Sequence, residues 1–308
     1  MLARARSREV GSVETSVEPI DLERDPSSDR TPSKTALGAA RLRAAHLIVD
    51  DPPPIFDDPL ALRLLDPGAE RTIRERADRF RTPASRTLRC DVVVRSRHAE
   101  ERLAQAVRRG VRQYVIIGAG LDTFAYRQPA WAGDLRIIEV DHAASQLEKH
   151  ARLRRAGIEP PTNLRYATAD LESDDLAPLL AAAGLDTTRP AFVACLGVLV
   201  YLSEGAAASI FATAAGLPPG SEFVFTFSRP DAATVGAPSP GSAAAHVAAI
   251  GEPWRTRFGP ESLASRLEAM GFGSVAFLFA EDVAERYLRG RNDGLRAPSR
   301  VVLAHATV

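Results

Sequence analysis

From residue 111 onward, short apolar runs alternate with helical stretches, and that alternation leaves few architectures open. The runs are "RQYVIIGAG", "DLRIIEVD", "NLRYATADL", "PAFVACLGVLVYL" and "GSEFVFTFS". Between them stand "HAASQLEKHARLRRAG", closing at Gly157, and "SEGAAASIFATAAGL", with Ser203 as its cap. Strands that alternate with helices at this spacing predict parallel βαβ units and an open α/β sheet. Two further apolar runs, "SVAFLFA" and "RVVLAHATV", flank a charged loop and are expected to pair antiparallel at the sheet edge. The expected sheet therefore has seven strands, mostly parallel.

Upstream, the pattern changes. Residues 1–33 are polar, with Pro, Ser and mixed charges, and read as a flexible N-terminal arm. Residues 34–110 read as a helical cap followed by a pre-sheet helix. "TALGAARLRAAHLIVD" has helical spacing, and "DDPPPIFDDPLALRLLD" predicts a Pro-rich turn and a helix capped by Asp57 or Asp58 with Pro59 in its first turn. "PASRTLRCDVVVRSRHAEERLAQAVRRG" predicts a long amphipathic helix closed by Gly110. Residues 111–308 form the core. Within it, residues 229–257 are rich in Ala, Pro, Gly and Ser and read as a lid insertion; "PESLASRLEAMGF" resumes as a helix from Pro260 to Gly271.

Bulk properties exclude several classes. The chain has 308 residues, of which 45% are hydrophobic, enough for a sizeable core. Its 39 basic and 39 acidic residues leave no basic surplus for nucleic acid or an anionic membrane. No run is long and apolar enough to span a bilayer, and the N-terminus lacks the apolar core of a signal peptide. Cys90 and Cys195 show no metal-ligand spacing, so no metal is expected, and two reduced thiols suggest a cytoplasmic protein. The expected partner is a small molecule, and the assembly a monomer or homodimer.

In an open α/β sheet, ligands bind beyond the carboxyl ends of the strands, at the switch point. The first strand ends in Gly118, Ala119, Gly120, Leu121 and Asp122; the second in Glu139 and Asp141; the third in Asp170 and Leu171; the fourth in Leu196, Gly197 and Tyr201. Gly118 and Gly120 permit a close backbone approach. The third glycine of a dinucleotide fingerprint is missing, since position 123 is Thr, and Asp122 would repel a pyrophosphate. A nucleoside without phosphates fits better. Asp141, about twenty residues after Gly120, is placed to accept both ribose hydroxyls. Asp170 suits an adenine amine, with the Leu171 amide beside it, and Asp122 suits a positive group. Adenosine, ammonium and sulfonium together describe S-adenosylmethionine.

The stretches "AAHLIVDDPPPIFDDPLALRLL", "RSRHAEERLAQAVRRGVRQYVIIGAGLDTFAYR", "LRIIEVDHAASQLEKHARLRRAGI", "LGVLVYL", "GEPWRTRF" and "ERYLRGRNDGL" resemble the leucine carboxyl methyltransferase family. Within it they are most similar to the bacterial branch of polyketide-type O-methyltransferases. The resemblance runs from about Thr35 to the C-terminus. It implies a Rossmann-like, class I S-adenosylmethionine-dependent methyltransferase. By the same resemblance, Arg95 holds the cofactor carboxylate, Gly118, Gly120 and Asp122 form the methionine-side loop, Asp141 binds the ribose, and Asp170 and Leu171 contact adenine. Members that methylate a protein C-terminus carry Glu-Gly before the Tyr-Leu of the fourth strand segment; here Leu196-Gly197 stands at that point, so a protein substrate is not carried over. Leu196 is retained as a cofactor contact.

For catalysis, a carboxylate acceptor needs no general base, whereas a phenol or alcohol usually does. Tyr201 and His246 are the candidate catalytic residues, and Trp254 and Arg255 the candidate substrate contacts, with Arg255 suited to a carboxylate. The residues favour methyl transfer to an oxygen of a small molecule, a secondary metabolite in the branch resembled. An NAD-type dehydrogenase and a non-catalytic cofactor-binding regulator are the competing readings.

Overall fold

The computed structural model describes residues 33–230 and 254–308. The expected arm, save Ser33, and most of the expected lid, His246 included, lie outside the described residues. Among the described residues, a seven-stranded sheet has the order β3-β2-β1-β4-β5-β7-β6. Its strands are β1 (Gln113–Ile117), β2 (Arg136–Asp141), β3 (Leu164–Thr168), β4 (Phe192–Cys195), β5 (Glu222–Ser228), β6 (Ser274–Leu278) and β7 (Val301–Thr307). The first five pair parallel. β7 runs antiparallel to both neighbours and lies between β5 and β6, so the two final strands pair as expected with β6 outermost.

The helices are α1 (Lys34–Val49), α2 (Pro59–Arg63), α3 (Ala69–Glu75), α4 (Ala77–Phe80), α5 (Pro83–Arg108), α6 (Ala143–Arg155), α7 (Leu176–Ala182), α8 (Glu204–Ala215) and α9 (Pro260–Ala269). β1 shows why the sheet is sandwiched. Tyr114 and Ile116 face one cluster with Ala99, Leu103 and Ala106 of α5. Val115 and Ile117 face another with Leu176 of α7, Ile210 and Phe211 of α8, and Leu263 and Leu267 of α9. Alternate side chains point to opposite faces, so a strand apolar at every position needs helices on both.

Two expectations need correction. "PAFVACLGVLVYL" is not one long strand: β4 stops at Cys195, Gly197 takes φ +73°, and Leu199–Tyr201 forms a 3₁₀ turn. The strand breaks there because the positive φ turns the backbone out of the ladder. The charged segment before β7 is not all loop either. Ala280–Val283 is a helical turn, Asp282 accepts from the Phe279 amide at 2.8 Å, and a π-helical turn, Ala284–Leu288, follows.

The cap is joined to the sheet through buried ions. Asp58 caps α2, accepting from the Ala61 amide at 3.1 Å, and its other oxygen accepts from Arg43 Nε at 2.7 Å. Arg43 also donates to the Leu121 carbonyl at 2.5 Å. Arg127 lies 3.6 Å from Asp58, donates to Thr123 at 2.9 Å, grips Glu100 of α5 with both terminal nitrogens, and covers the Phe56 ring at 4.7 Å. Arg127 thus binds cap, α5 and the loop after β1 into one unit. A second buried set, His46, Asp50 and Arg89, fixes α1 on α5; Arg89 donates to both Asp50 oxygens, at 2.5 and 2.6 Å.

Under β7, buried His98 of α5 contacts the Tyr287 hydroxyl at 3.0 Å, and its Nε2 has no partner among the described residues. Burial, aided by Arg286, pushes its pKa down from 6.5 to about 4. The ring of His305 stands 6.3 Å away, and burial, with Arg102 and Arg286, pushes it down to about 4 as well. Between those values and 6.5 the unfolded chain binds protons that the fold refuses, so stability is undiminished above pH 6.5 and falls as pH drops toward about 4. For His98 the full loss is about 3 kcal/mol. Urea unfolding of the wild type and His98→Asn at pH 7.5 and at about pH 4 should show the pH dependence smaller in the variant by most of that amount. Equal pH dependence in the two proteins would refute it.

Candidate active site

The loops after β1 and β4 meet at the carboxyl edge of the sheet, where the strand order reverses around β1, the expected position for a ligand. Three bonds tie the loop after β1 to the end of β2. The Gly118 and Ala119 amides donate to the Val140 carbonyl at 2.8 and 3.0 Å, and the Gly120 amide to Asp141 Oδ2 at 2.5 Å. The other Asp141 oxygen accepts from the His142 amide at 2.7 Å. Burial raises the Asp141 carboxyl above its ordinary range, and the two amides oppose that rise. A carboxylate offers about four acceptor positions, so beyond the two amides and the neighbouring Ser145 hydroxyl Asp141 retains capacity for a ligand hydroxyl.

Gly118 and Gly197 have φ of +67° and +73°. Each is also pressed by protein. A Cβ on Gly118 would stand 2.3 Å from Val198 Cγ2, and a Cβ on Gly197 would stand 2.6–2.7 Å from the Arg95 guanidinium. The close approach that Gly118 permits is thus to the loop after β4. The Gly197 amide donates to Thr226 Oγ1 of β5 at 2.7 Å, which fixes that loop in turn. Arg95 lies over this glycine and is held from behind by Asp91, one helical turn earlier on α5, at 3.1 Å. Burial raises the Asp91 carboxyl, with Arg95 opposing.

These elements enclose a cavity of about 500 Å³, within the roughly 300–1,000 Å³ typical of small-molecule sites. Arg95, Gly118, Gly120, Asp122, Asp141, Leu171, Leu196, Tyr201 and Trp254 all line it. Asp122 also accepts from the Phe124 amide at 2.8 Å, closing the turn that carries it. Tyr201 enters from the 3₁₀ turn rather than from a strand. The Trp254 indole N–H is buried and has no partner among the described residues. Two expected residues stand apart from the wall. Asp170 accepts from the Glu172 amide at 3.1 Å within its own turn and does not line the cavity. Arg255 lies 3.3 Å from Glu172 on an exposed edge, so its charge is met there and not in the cavity. Among the described residues, no group of three or more His, Cys, Asp or Glu is placed to hold a metal.

The wall includes residues that motif reading missed. α1 contributes Thr35, Ala36, Ala39 and Leu42, and α5 contributes Asp91. The signal for Asp91 was its i−4 spacing from Arg95, a geometry that pairs side chains on a helix. Nearby, Glu139 of β2 is buried and rises to about 7 through burial, with Lys149 of α6, 2.7 Å away, opposing. The charges at the end of β2 are thus a fixed part of the core, not solvated loop groups.

Residues 36–215 match the family model described as leucine carboxyl methyltransferase. Among curated relatives, the chain is 29% identical over 299 residues to a provisionally named S-adenosyl-L-methionine-dependent methyltransferase, YktD of Bacillus subtilis. That alignment covers 89% of this chain and 97% of the relative. A provisionally named methyltransferase of the same kind from Frankia alni is 33% identical over 186 residues, 57% of this chain and 61% of the relative. In fold, the chain is similar to a crystal structure of a provisionally assigned methyltransferase from Thermobifida fusca (TM-score 0.53, 20% identity, 95% of this chain and 99% of the other). A protein of the DUF574 family from Streptomyces avermitilis is also similar (TM-score 0.51, 19% identity, 86% and 96% covered).

The cradle fits S-adenosylmethionine: a guanidinium for its carboxylate, acids for its cationic centres and Asp141 for its ribose. Gly197→Ala would push the Arg95 guanidinium off its seat. It should weaken S-adenosylhomocysteine binding about as much as Arg95→Ala does, by about tenfold or more, and the double variant should be no worse than either. Calorimetric titration of the three variants checks this. Additive losses would show that the glycine and the arginine act separately.

Proposed function

The chain belongs to the leucine carboxyl methyltransferase family of S-adenosylmethionine-dependent methyltransferases, and on that premise we propose that it methylates an oxygen, preferentially a carboxylate oxygen, of a small molecule. When bound, the cofactor supplies an electrophilic methyl on a sulfonium. The chain's own task is to hold it, orient the acceptor and keep water out, since alignment supplies much of the barrier reduction in such a displacement. Arg95, set over Gly197, is the anchor proposed for the cofactor carboxylate, and Asp122 and Asp141 give the cavity a negative wall suited to a cation. Leu171 and Leu196 offer apolar contacts for the adenine.

The observation that carries the carboxylate preference is the state of the acids on the wall. Asp91 is engaged by Arg95, Asp122 by the Phe124 amide, and Asp141 by the Gly120 and His142 amides. Each of these three carboxylates is tied to a structural partner, so none of them stands free to take a proton from an acceptor. A carboxylate acceptor is already ionised and asks for none. Tyr201 and Trp254 are proposed to position it, with the indole N–H as a donor to its oxygen. Placement of the acceptor among secondary metabolites rests on the sequence resemblance alone.

Two measurements test the reading. S-adenosylhomocysteine should raise the melting temperature and NAD should not; the reverse result would restore the dehydrogenase. Labelled methyl from S-adenosylmethionine, offered with a panel of carboxylic acids and phenols, should appear in a product that releases methanol in mild alkali, as an ester does. A product stable to alkali would move the acceptor to a phenol.

A further inference from the structure

A second cavity of about 350 Å³ opens in the cap beside the first. Arg41, Arg76 and Arg79 line it together with apolar Leu65, Ile73 and Phe80. Arg41 and Phe80 line both cavities, so the two share a wall. None of the three arginines has an ion pair among the described residues. Their neighbours do: on α3 and its approach, Arg74 pairs with Glu70 and Arg71 with Glu75, while Arg43 and Arg89 are neutralised by Asp58 and Asp50. The acid that lines this cavity, Asp66, is turned to Arg152 and Arg155, at 3.2 and 3.3 Å. In a chain whose charges otherwise balance, three unpaired guanidiniums around one hollow are a local cationic excess. The three arginines are exposed to solvent, yet they line one hollow with apolar walls, and guanidinium is the donor best shaped for an oxyanion.

We propose that this cavity is an oxyanion-binding subsite that holds the anionic end, a phosphate or a second carboxylate, of an acceptor whose apolar body reaches the methyl-transfer cavity past Arg41 and Phe80. The subsite rests on the methyl-transfer reading for the identity of its ligand as an acceptor, and on the arginines alone for its anion binding. Leu65, Ile73 and Phe80 give the apolar contact that separates such a ligand from a bare solvated anion. The acceptor is therefore amphiphilic: one group is methylated, and a separate charged group sets its orientation.

The test uses full-length protein saturated with S-adenosylhomocysteine, titrated calorimetrically at low salt with inorganic pyrophosphate, decanoate and, as the neutral control, decanol. At least one of the two anions should bind, and decanol should bind more weakly than decanoate. Preference for pyrophosphate would identify a phosphorylated acceptor end, and preference for decanoate a carboxylate one. Arg76→Gln/Arg79→Gln should weaken the anion by about tenfold or more, since each lost charge-assisted contact removes a sizeable part of the affinity. Arg71→Gln/Arg74→Gln, which removes paired arginines of the same region, should leave it within about twofold. Both variants should keep the melting-temperature rise given by S-adenosylhomocysteine. Absence of binding by both anions, or equal losses in the two double variants, would overturn the subsite. Anion binding without any S-adenosylhomocysteine effect on the wild type would instead overturn the methyl-transfer reading and leave an anion site of another purpose.

Discussion

The buried carboxylate of Asp58 ties the cap to the loop that follows the first strand. It is fully inaccessible to solvent, caps α2, and is met by Arg43 from α1 and Arg127 from beyond β1. Removing one member of such a set leaves an uncompensated charge in the interior, at a cost of about 3–5 kcal/mol. The cavity depends on this set twice. Arg43 donates to Leu121 in the loop that forms the floor, while its own helix supplies part of the wall. Arg127 holds the same loop to α5 through Thr123 and Glu100. Floor and wall are therefore not positioned independently.

This explains which parts of the molecule were legible in the sequence. Parallel topology brings every strand's carboxyl end to one edge, so residues read locally, such as Gly120, Asp141, Leu171 and Leu196, meet on one wall without knowledge of the long-range packing. Arg127, at the end of "LDTFAYR", has a role that sequence alone does not suggest. Its partners Asp58, Phe56 and Glu100 come from segments far apart in the chain, and no local pattern joins them. Asp170 is a different case. An acid after a strand suggests a ligand contact, and a short acidic side chain also bonds its own following amides, as one Asp170 oxygen does with the Glu172 amide. The fourth strand is shorter than its apolar run because apolar content continues through residues 199–202, whereas backbone conformation changes at Gly197.

The glycines carry a related lesson. A glycine pair after a strand invites the reading that a ligand approaches the backbone. In this fold the missing side chains are also used by Val198 against Gly118 and by Arg95 against Gly197. The two loops interlock through contacts within the protein, which preorganise the site. Arg95, clasped between Asp91 and Gly197, has lost most of the freedom a long side chain would otherwise give up on binding.

The reversed strand β7 has a consequence for how the chain is made. It follows β6 in sequence yet lies between β5 and β6, pairing along the full length of β5 from Ser228–Val301 to Glu222–Thr307. Until residue 307 has left the ribosome, β5 is an open edge of unpaired amides and carbonyls carrying Phe223, Phe225 and Phe227. β5 therefore keeps that adhesive edge while the residues between it and β7 are made, and the sheet closes only when the strand that follows β6 slots in between.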